Sequence, residues 1–303
     1  MTLGGQGAVA ADVAVGLEMR PKRRVLRTLG QIARRKPLGA FGAAIAILLV
    51  VVAIFADVIA PGNPSRTSAN IVLSPRGDAW LGTDDLGRDV YTRIIHGSRI
   101  SLRVGFLAVA IGVSSGFLIG LGSAYFGGKV DLIVQRLMDA ILAFPGLVLV
   151  LAIVTVLEPS INNVIAALSF GLIPRSARTI RSQALSIKET DYVLAATASG
   201  ARHWRIILRH MAPNCLATYI VFATFSLGFA IIAEASLSFL GLGVPPNVPS
   251  WGGMLNGAAS IGIDVAPWLG VFPGLALAVV VFAWNLMGDA LRDELDPRLR
   301  GAR

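Results

Sequence analysis

Six long stretches without Asp, Glu, Lys or Arg constrain this chain more than any other feature. They cover residues 37–56, 104–128, 140–157, 159–174, 210–233 and 265–288. A hydrocarbon core about 30 Å thick is crossed by roughly 20 mostly apolar residues in a helix. Apart from a closed barrel, only a helix pairs all of its own backbone groups in lipid. The expected fold is therefore all-α and integral to a membrane, with six transmembrane helices. With 54% hydrophobic and 15% charged residues and a mean hydropathy of +0.69, a soluble domain of 303 residues would lack the polar surface to cover itself.

The net charge of +9 raises the question of nucleic acid, and the placement of the basic residues answers it. With the N-terminus inside, the cytoplasmic segments 1–37, 125–139, 175–212 and 288–303 hold 21 of the 27 Lys and Arg. The other 6 lie between residues 61 and 103. That asymmetry is the positive-inside pattern of a multi-pass protein with both termini in the cytoplasm, and nucleic acid is not an expected partner.

Residues 1–36 form a basic cytoplasmic tail, and residues 37–60 the first membrane helix. Its apolar run of about 20 residues exceeds a signal peptide's apolar core, and Phe55-Ala-Asp57 is a poor cleavage site, so the helix is expected to be retained. Pro61-Gly-Asn-Pro64 then stops it. Residues 61–99 form an extracytoplasmic loop. Within it Thr83 is a candidate N-cap for a short surface helix, with Asp84 and Asp85 in the first turn and acid-before-base pairs Asp84/Arg88 and Asp89/Arg93. Residues 100–288 hold the other five helices, and 289–303 a cytoplasmic tail. The Pro- and Gly-rich stretch 235–263, with Pro245, Pro246 and Pro249, reads as a second extracytoplasmic loop.

In the second helix Gly105, Gly112, Gly116, Gly120 and Gly122 give spacings at which helix backbones approach closely. The third and sixth helices each carry a Phe-Pro-Gly triplet, at Pro145 and Pro273. Proline removes a backbone hydrogen bond, and broken spans line transport pathways or simply serve packing. Glu234 and Asp139 fall at span ends. Both fit a membrane interface, and Glu234 alternatively lines the outer mouth of a pathway as a gate. Cys215 stands alone and reads as a small buried residue. His96, His203 and His210 have no metal-ligand spacing with an acid or cysteine, so no metal site is expected.

The basic stretch 175–212 is too polar to cross a membrane and too patterned for a linker. It reads as two helices, residues 180–198 and one from about Ala201, separated at Ser199-Gly200 because glycine tolerates the left-handed C-cap conformation. Arg202, Arg205 and Arg209 recur at helical spacing, with Ile206, Ile207 and Met211 on an apolar face. A helix this short needs something to dock into.

The run Tyr192-Val-Leu-Ala195-Ala196-Thr-Ala-Ser-Gly200, followed by Ile206-Ile-Leu-Arg-His-Met-Ala-Pro213-Asn214, resembles the EAA loop of ABC importer permeases, although Leu194 stands where the name-giving glutamate would be. Three further stretches resemble the dipeptide, oligopeptide and nickel branch of that family, of DppC/OppC type. They are Trp80-Leu-Gly-Thr-Asp-Asp-Leu-Gly-Arg-Asp89, Glu234-Ala-Ser-Leu-Ser-Phe-Leu-Gly-Leu-Gly243, and Asn285-Leu-Met-Gly-Asp289 with Leu295-Asp-Pro297. The resemblance spans about residues 38–300. It implies the type I importer permease fold with a cytoplasmic coupling helix, and a role in moving dipeptides or oligopeptides, or else nickel or glutathione, across a bacterial inner membrane. It also implies a heterodimer with a sister permease, two cytoplasmic ATPase subunits and an extracytoplasmic substrate-binding protein. Tyr192, Ala195, Ala196, Gly200, Arg202, Arg205, Ile206 and Pro213 are then the ATPase-coupling residues. Glu234, Pro145 and Pro273 are the pathway candidates.

The chain is not expected to be an enzyme or to bind a cofactor. It carries no G-x-x-x-x-G-K-[ST] loop; Gly128-Lys129-Val130 is the nearest approach and lacks the hydroxyl. ATP and magnesium are expected on the partner ATPases. An ion-coupled secondary transporter is the rival from another class, but it would show paired ionisable residues in mid-span, and these spans are nearly empty of them. An intramembrane hydrolase would need a histidine base within a span.

Overall fold

A computed structural model describes residues 36–295; the two expected tails therefore lie outside the described residues, except Lys36 and residues 289–295. The described chain is helix and turns, with no strand and two isolated bridges, Arg76 with Ala79 and Thr83 with Asp89. In chain order the helices are α1 (Pro37–Ile54), α2 (Ala56–Ile59), α3 (Val90–Phe126), α4 (Gly128–Leu142), α5 (Gly146–Leu157), α6 (Ile161–Lys188) and α7 (Asp191–Ala198). There follow α8 (His203–Arg205), a π-helical turn (Ile206–Met211), α9 (Ala212–Phe239), α10 (Trp251–Ile261) and α11 (Pro267–Leu295).

Among the described residues four helices are long and apolar enough to cross a membrane: α1, α3, the continuous helix His203–Phe239, and α11. The pair α4 and α5, bent by 85°, makes a fifth if it counts as one broken span. The expected sixth, over residues 159–174, lies in α6. That helix is 28 residues long, but Arg175, Arg178, Arg181 and Lys188 fill its second half, so composition alone does not single it out as a span.

The two Phe-Pro-Gly triplets behave differently. Pro145 stands at the N-cap of α5, with Phe144 before it outside any helix, as expected for a residue preceding proline. Pro273 is buried within α11, which continues through it.

Glycine decides how closely the long helices pack. On α3, Gly112, Gly116 and Gly120 lie four residues apart and face α6. A β-carbon on Gly112 would come within 2.5 Å of the Ser169 carbonyl oxygen, one on Gly116 within 2.5 Å of the Ser176 β-carbon, and one on Gly120 within 2.4 Å of the Ala177 carbonyl oxygen. Across this seam Ser176 Oγ donates to the Val113 carbonyl at 2.8 Å. Gly39 and Gly42 do the same for α1 against Ala290 and Leu286 of α11. Leu102, Val113, Leu172, Leu227, Ile231, Trp251, Val280 and Trp284 fill the common core.

Two sequence expectations about the loops need correction. Thr83 starts no helix; it is buried, and its hydroxyl donates to the Asn70 carbonyl at 2.6 Å. Asp84 instead closes a turn, accepting from the backbone N–H of Leu86 and Arg88 and from Arg88 Nε at 2.6 Å. Asp89 is the true N-cap, accepting from Thr92 N at 2.8 Å, and α3 starts at Val90. Asp89 therefore caps the helix rather than pairing with Arg93, which lies 3.5 Å from Asp84. The stretch 235–263 is not wholly loop either. The long helix runs on to Phe239, and Ser250 caps α10, whose Trp251, Gly252, Met254 and Ala258 are buried. Apolar side chains that a free loop would have exposed pack instead against α3, α9 and α11.

Candidate functional site

The basic stretch lies at one end of the bundle, where α3 and α6 finish. Lys188, in the last turn of α6, donates to the carbonyls of Tyr125 at 2.8 Å and Ala124 at 3.2 Å. It thereby satisfies acceptors at the end of α3 that have no partner within their own helix. Arg181 grips Asp131 of α4 with two bonds, Nε at 2.6 Å and Nη2 at 2.5 Å, while Ser123 of α3 donates to the same carboxylate. Arg178 pairs with Asp139. The partners of Arg178, Arg181 and Lys188 are 39 to 64 residues away in sequence, so no local pattern announced them.

α7 leaves this base after Glu189 and Thr190. Only Val193 of its eight residues is buried, set among Leu121, Ala124, Ile187, Ile206, Ile207 and Met211. Its end fits the sequence reading. Gly200 has φ +73°, Gly200 N bonds the Thr197 carbonyl at 3.0 Å, and Ala201 N bonds the Ala196 carbonyl at 3.1 Å. Those two bonds with a left-handed glycine between them make a Schellman turn. Nothing lies within 4 Å of a β-carbon at Gly200, so only the backbone angle selects glycine there.

The second expected helix is not separate. Residues His203–Phe239 form one helix, so Arg205 and Ile206 belong to the first turns of a membrane span. Pro213 does not interrupt it. Proline has no N–H and its ring crowds the carbonyl four residues back, but the preceding turn widens to π, with Ala212 N bonding the Ile207 carbonyl. Asn214 Nδ2 donates to the His210 carbonyl at 2.7 Å. The detached element of the loop is therefore α7.

Of the eight coupling candidates, Ile206 is buried, at 1% exposure, and holds the loop to the bundle. Tyr192, Ala195, Gly200, Arg202, Arg205 and Pro213 are exposed and Ala196 half-buried. Leu194, Trp204 and Leu208 of the same stretch are large apolar residues that are exposed as well.

The pathway candidates fare less evenly. Glu234 is fully buried, with Ser101 Oγ of α3 and Ser238 Oγ each donating to it at 2.8 Å. Ser238 Oγ in turn accepts from Val244 N at 3.2 Å. The Glu234 carboxylate is closed off in this structure, and it fastens the turn after α9 to α3. Glu234→Gln should therefore keep both contacts and near wild-type uptake. Glu234→Ala strands two buried hydroxyls and should cost about 1–3 kcal/mol, read as a lowered unfolding temperature in detergent. Loss of uptake by the Gln variant at unchanged stability would restore a pathway role. Asp139 is about half exposed and paired with Arg178. Pro145 is exposed at the α4–α5 break, and Pro273 is buried.

These features define a class: a helical membrane protein whose bundle ends in a short, mostly exposed helix beside paired arginines and acids. Sequence and structure comparisons place it further. The chain belongs to the family of binding-protein-dependent transport system inner membrane components, whose model matches residues 116–301. Residues 28–75 match the N-terminal transmembrane domain of oligopeptide transport permease C. It is therefore a multi-pass inner-membrane permease subunit.

Among its relatives, the dipeptide transport system permease protein DppC of Alkalihalophilus pseudofirmus is 40% identical over 88% of each chain. A putative peptide transport system permease protein of Brucella suis is 41% identical over 92% of this chain and 94% of its own. The glutathione transport system permease protein GsiD of Escherichia coli is 43% identical over 88% of this chain and 89% of its own. The fold resembles that of the MetNI methionine ABC transporter in an inward-facing form, with a TM-score of 0.57 and 18% identity over 67% of this chain and 96% of that one.

Proposed function

We propose that this chain is the permease subunit of an ATP-driven importer that passes dipeptides or oligopeptides across the bacterial inner membrane. The observation that carries the cargo class is the peptide transport named for relatives 40–41% identical over 88–92% of this chain. Glutathione, itself a small peptide, is the second reading, compatible with relatives of similar identity that are named for its transport. The complex contains a sister permease as heterodimeric partner, two ATPase subunits at the basic end, and a substrate-binding protein at the other. ATP and magnesium bind the ATPases. Both termini are cytoplasmic, residues 61–99 face outward, and residues 100–288 form the permease domain.

In this reading α7 is the coupling helix. Closure of the ATPases pushes on Tyr192, Ala195 and Ala196. Val193 and Ile206 transmit the push to α3, α6 and the long helix His203–Phe239, and the bundle changes between inward-open and outward-open states. The support is geometric: α7 touches the bundle through one buried side chain and leaves the rest of its surface free.

The complete transporter, reconstituted into liposomes with its binding protein, should take up labelled dipeptide only when ATP is supplied. Uptake that persists without ATP and collapses with an ionophore would overturn the reading in favour of an ion-coupled carrier. Competition by glutathione against the dipeptide ranks the two cargo readings.

A further inference from the structure

Three arginines follow one another along α6 at positions 175, 178 and 181, and two of them have an acid of their own on α4. Arg175 has none: among the described residues its guanidinium makes no ion pair, and its one ring contact is with Phe229 of α9, 5.4 Å from the ring centre. It is nevertheless exposed on the surface of the chain, and so is Pro145 at the break beside it. A β-carbon added to Gly146, the first residue of α5, would lie 3.7 Å from Arg175 Nη2.

The sequence placed Arg175 at the start of the basic loop; the packing of α6 on α3 sets it beside the middle of the uncharged run of α3. Its neighbour Ser176 packs against Gly116 of α3. Gly116 stands twelve residues into the uncharged run that begins at Val104 and ten before Phe126, so each limit is roughly 15–18 Å away along the helix. An unpaired cation at that depth is costly against lipid and is found facing a water-filled passage or a charged partner.

We propose that Arg175 lines the translocation path and binds the carboxylate that a peptide cargo carries. The inference rests on the importer reading above and deepens it by naming a cargo contact within this chain. The break at Pro145 leaves room for this. Had α4 and α5 formed one straight helix antiparallel to α6, residues 143–145 would pack over the guanidinium. Phe229 holds the guanidinium plane on one side, an arrangement worth about 0.5–2 kcal/mol, and leaves its N–H fork free for two parallel bonds to a carboxylate.

The test uses the whole transporter in liposomes, with Cys215→Ala as background and Arg175→Cys as the probe, treated with methanethiosulfonate reagents of either sign. Arg175→Cys should lower peptide uptake about tenfold or more, the loss expected for one charge-assisted hydrogen-bonding contact. The ethylammonium adduct, which restores a positive charge, should recover most of it. The ethylsulfonate adduct should not. Saturating cargo-loaded binding protein should slow labelling, because the carboxylate then occupies the site.

A thiol that neither reagent reaches in the assembled complex would overturn the proposal, since the face would then be covered by the sister subunit or by lipid. Recovery independent of the sign of the adduct would also overturn it. If instead the wild-type complex takes up no peptide while the thiol introduced by Arg175→Cys reacts normally, the importer reading fails and not the exposure of the site.

Discussion

Gly116→Leu is expected to abolish stable packing between α3 and α6. A β-carbon there meets the Ser176 β-carbon at 2.5 Å and the Ile173 carbonyl oxygen at 2.6 Å, and the second of these is helix backbone that cannot step aside. Overpacking a seam of this kind costs about 1–3 kcal/mol, and more where backbone is struck. The expected result is a variant that enters the membrane but aggregates on detergent extraction, seen as loss of the monodisperse peak in size-exclusion chromatography. Gly122 is the internal control: its added β-carbon would meet nothing within 4 Å, so Gly122→Leu should elute as wild type. If the two variants behave alike, the glycine seam is not what holds these helices together.

Gly200→Pro should separate ATP hydrolysis from uptake. The φ of +73° lies far from the −65° that proline imposes, and the bond from Gly200 N to the Thr197 carbonyl would be lost. The turn that sets α7 against the long span would therefore re-form elsewhere. Because Val193 is the single buried residue of α7, nothing else in that helix holds its angle. In the reconstituted transporter uptake should fall about tenfold or more, equivalent to roughly 1.4 kcal/mol or more of lost coupling, while ATP hydrolysis continues and the complex still co-purifies. Arg205→Glu should give the same pattern by reversing an exposed charge on the docking surface. Gly200→Ala, strained but able to hold the turn at a cost of about 1–2 kcal/mol, should lie between. Wild-type uptake in Gly200→Pro would show that the turn does not transmit the ATPase stroke.

Much of this architecture could be read before any coordinates. The uncharged stretches located the apolar helices, Pro145 broke the third span, and Gly200 ended the helix expected over 180–198, although that helix is split at Glu189 and Thr190 into the end of α6 and α7. The errors cluster where a local signal was outweighed by something distant. Thr83 followed by two acids looks like a helix start, but Asn70 takes its hydroxyl and Arg88 takes Asp84. The basic residues after Pro174 read as a cytoplasmic loop from residue 175, yet α6 continues to Lys188 because α3 and α4 supply a seam and two acids to pack against. The loop helix expected from about Ala201 runs straight into the span expected over 210–233, because a widened turn absorbs Pro213. Glu234 fits a span end or a gate by its position alone; two serines, one of them 133 residues away, close off its carboxylate.

The sequence by itself determined that the chain lives in a membrane, where its apolar helices run and which end is basic, because hydrophobic transfer and backbone pairing in lipid are nearly local properties. Tertiary structure decided which of the three arginines along α6 has no acid to pair with among the described residues, which carboxylate is closed off and which short helix is mostly exposed. Those outcomes depend on side chains tens of residues apart meeting at distances of a few ångströms, and no spacing along the chain encodes them.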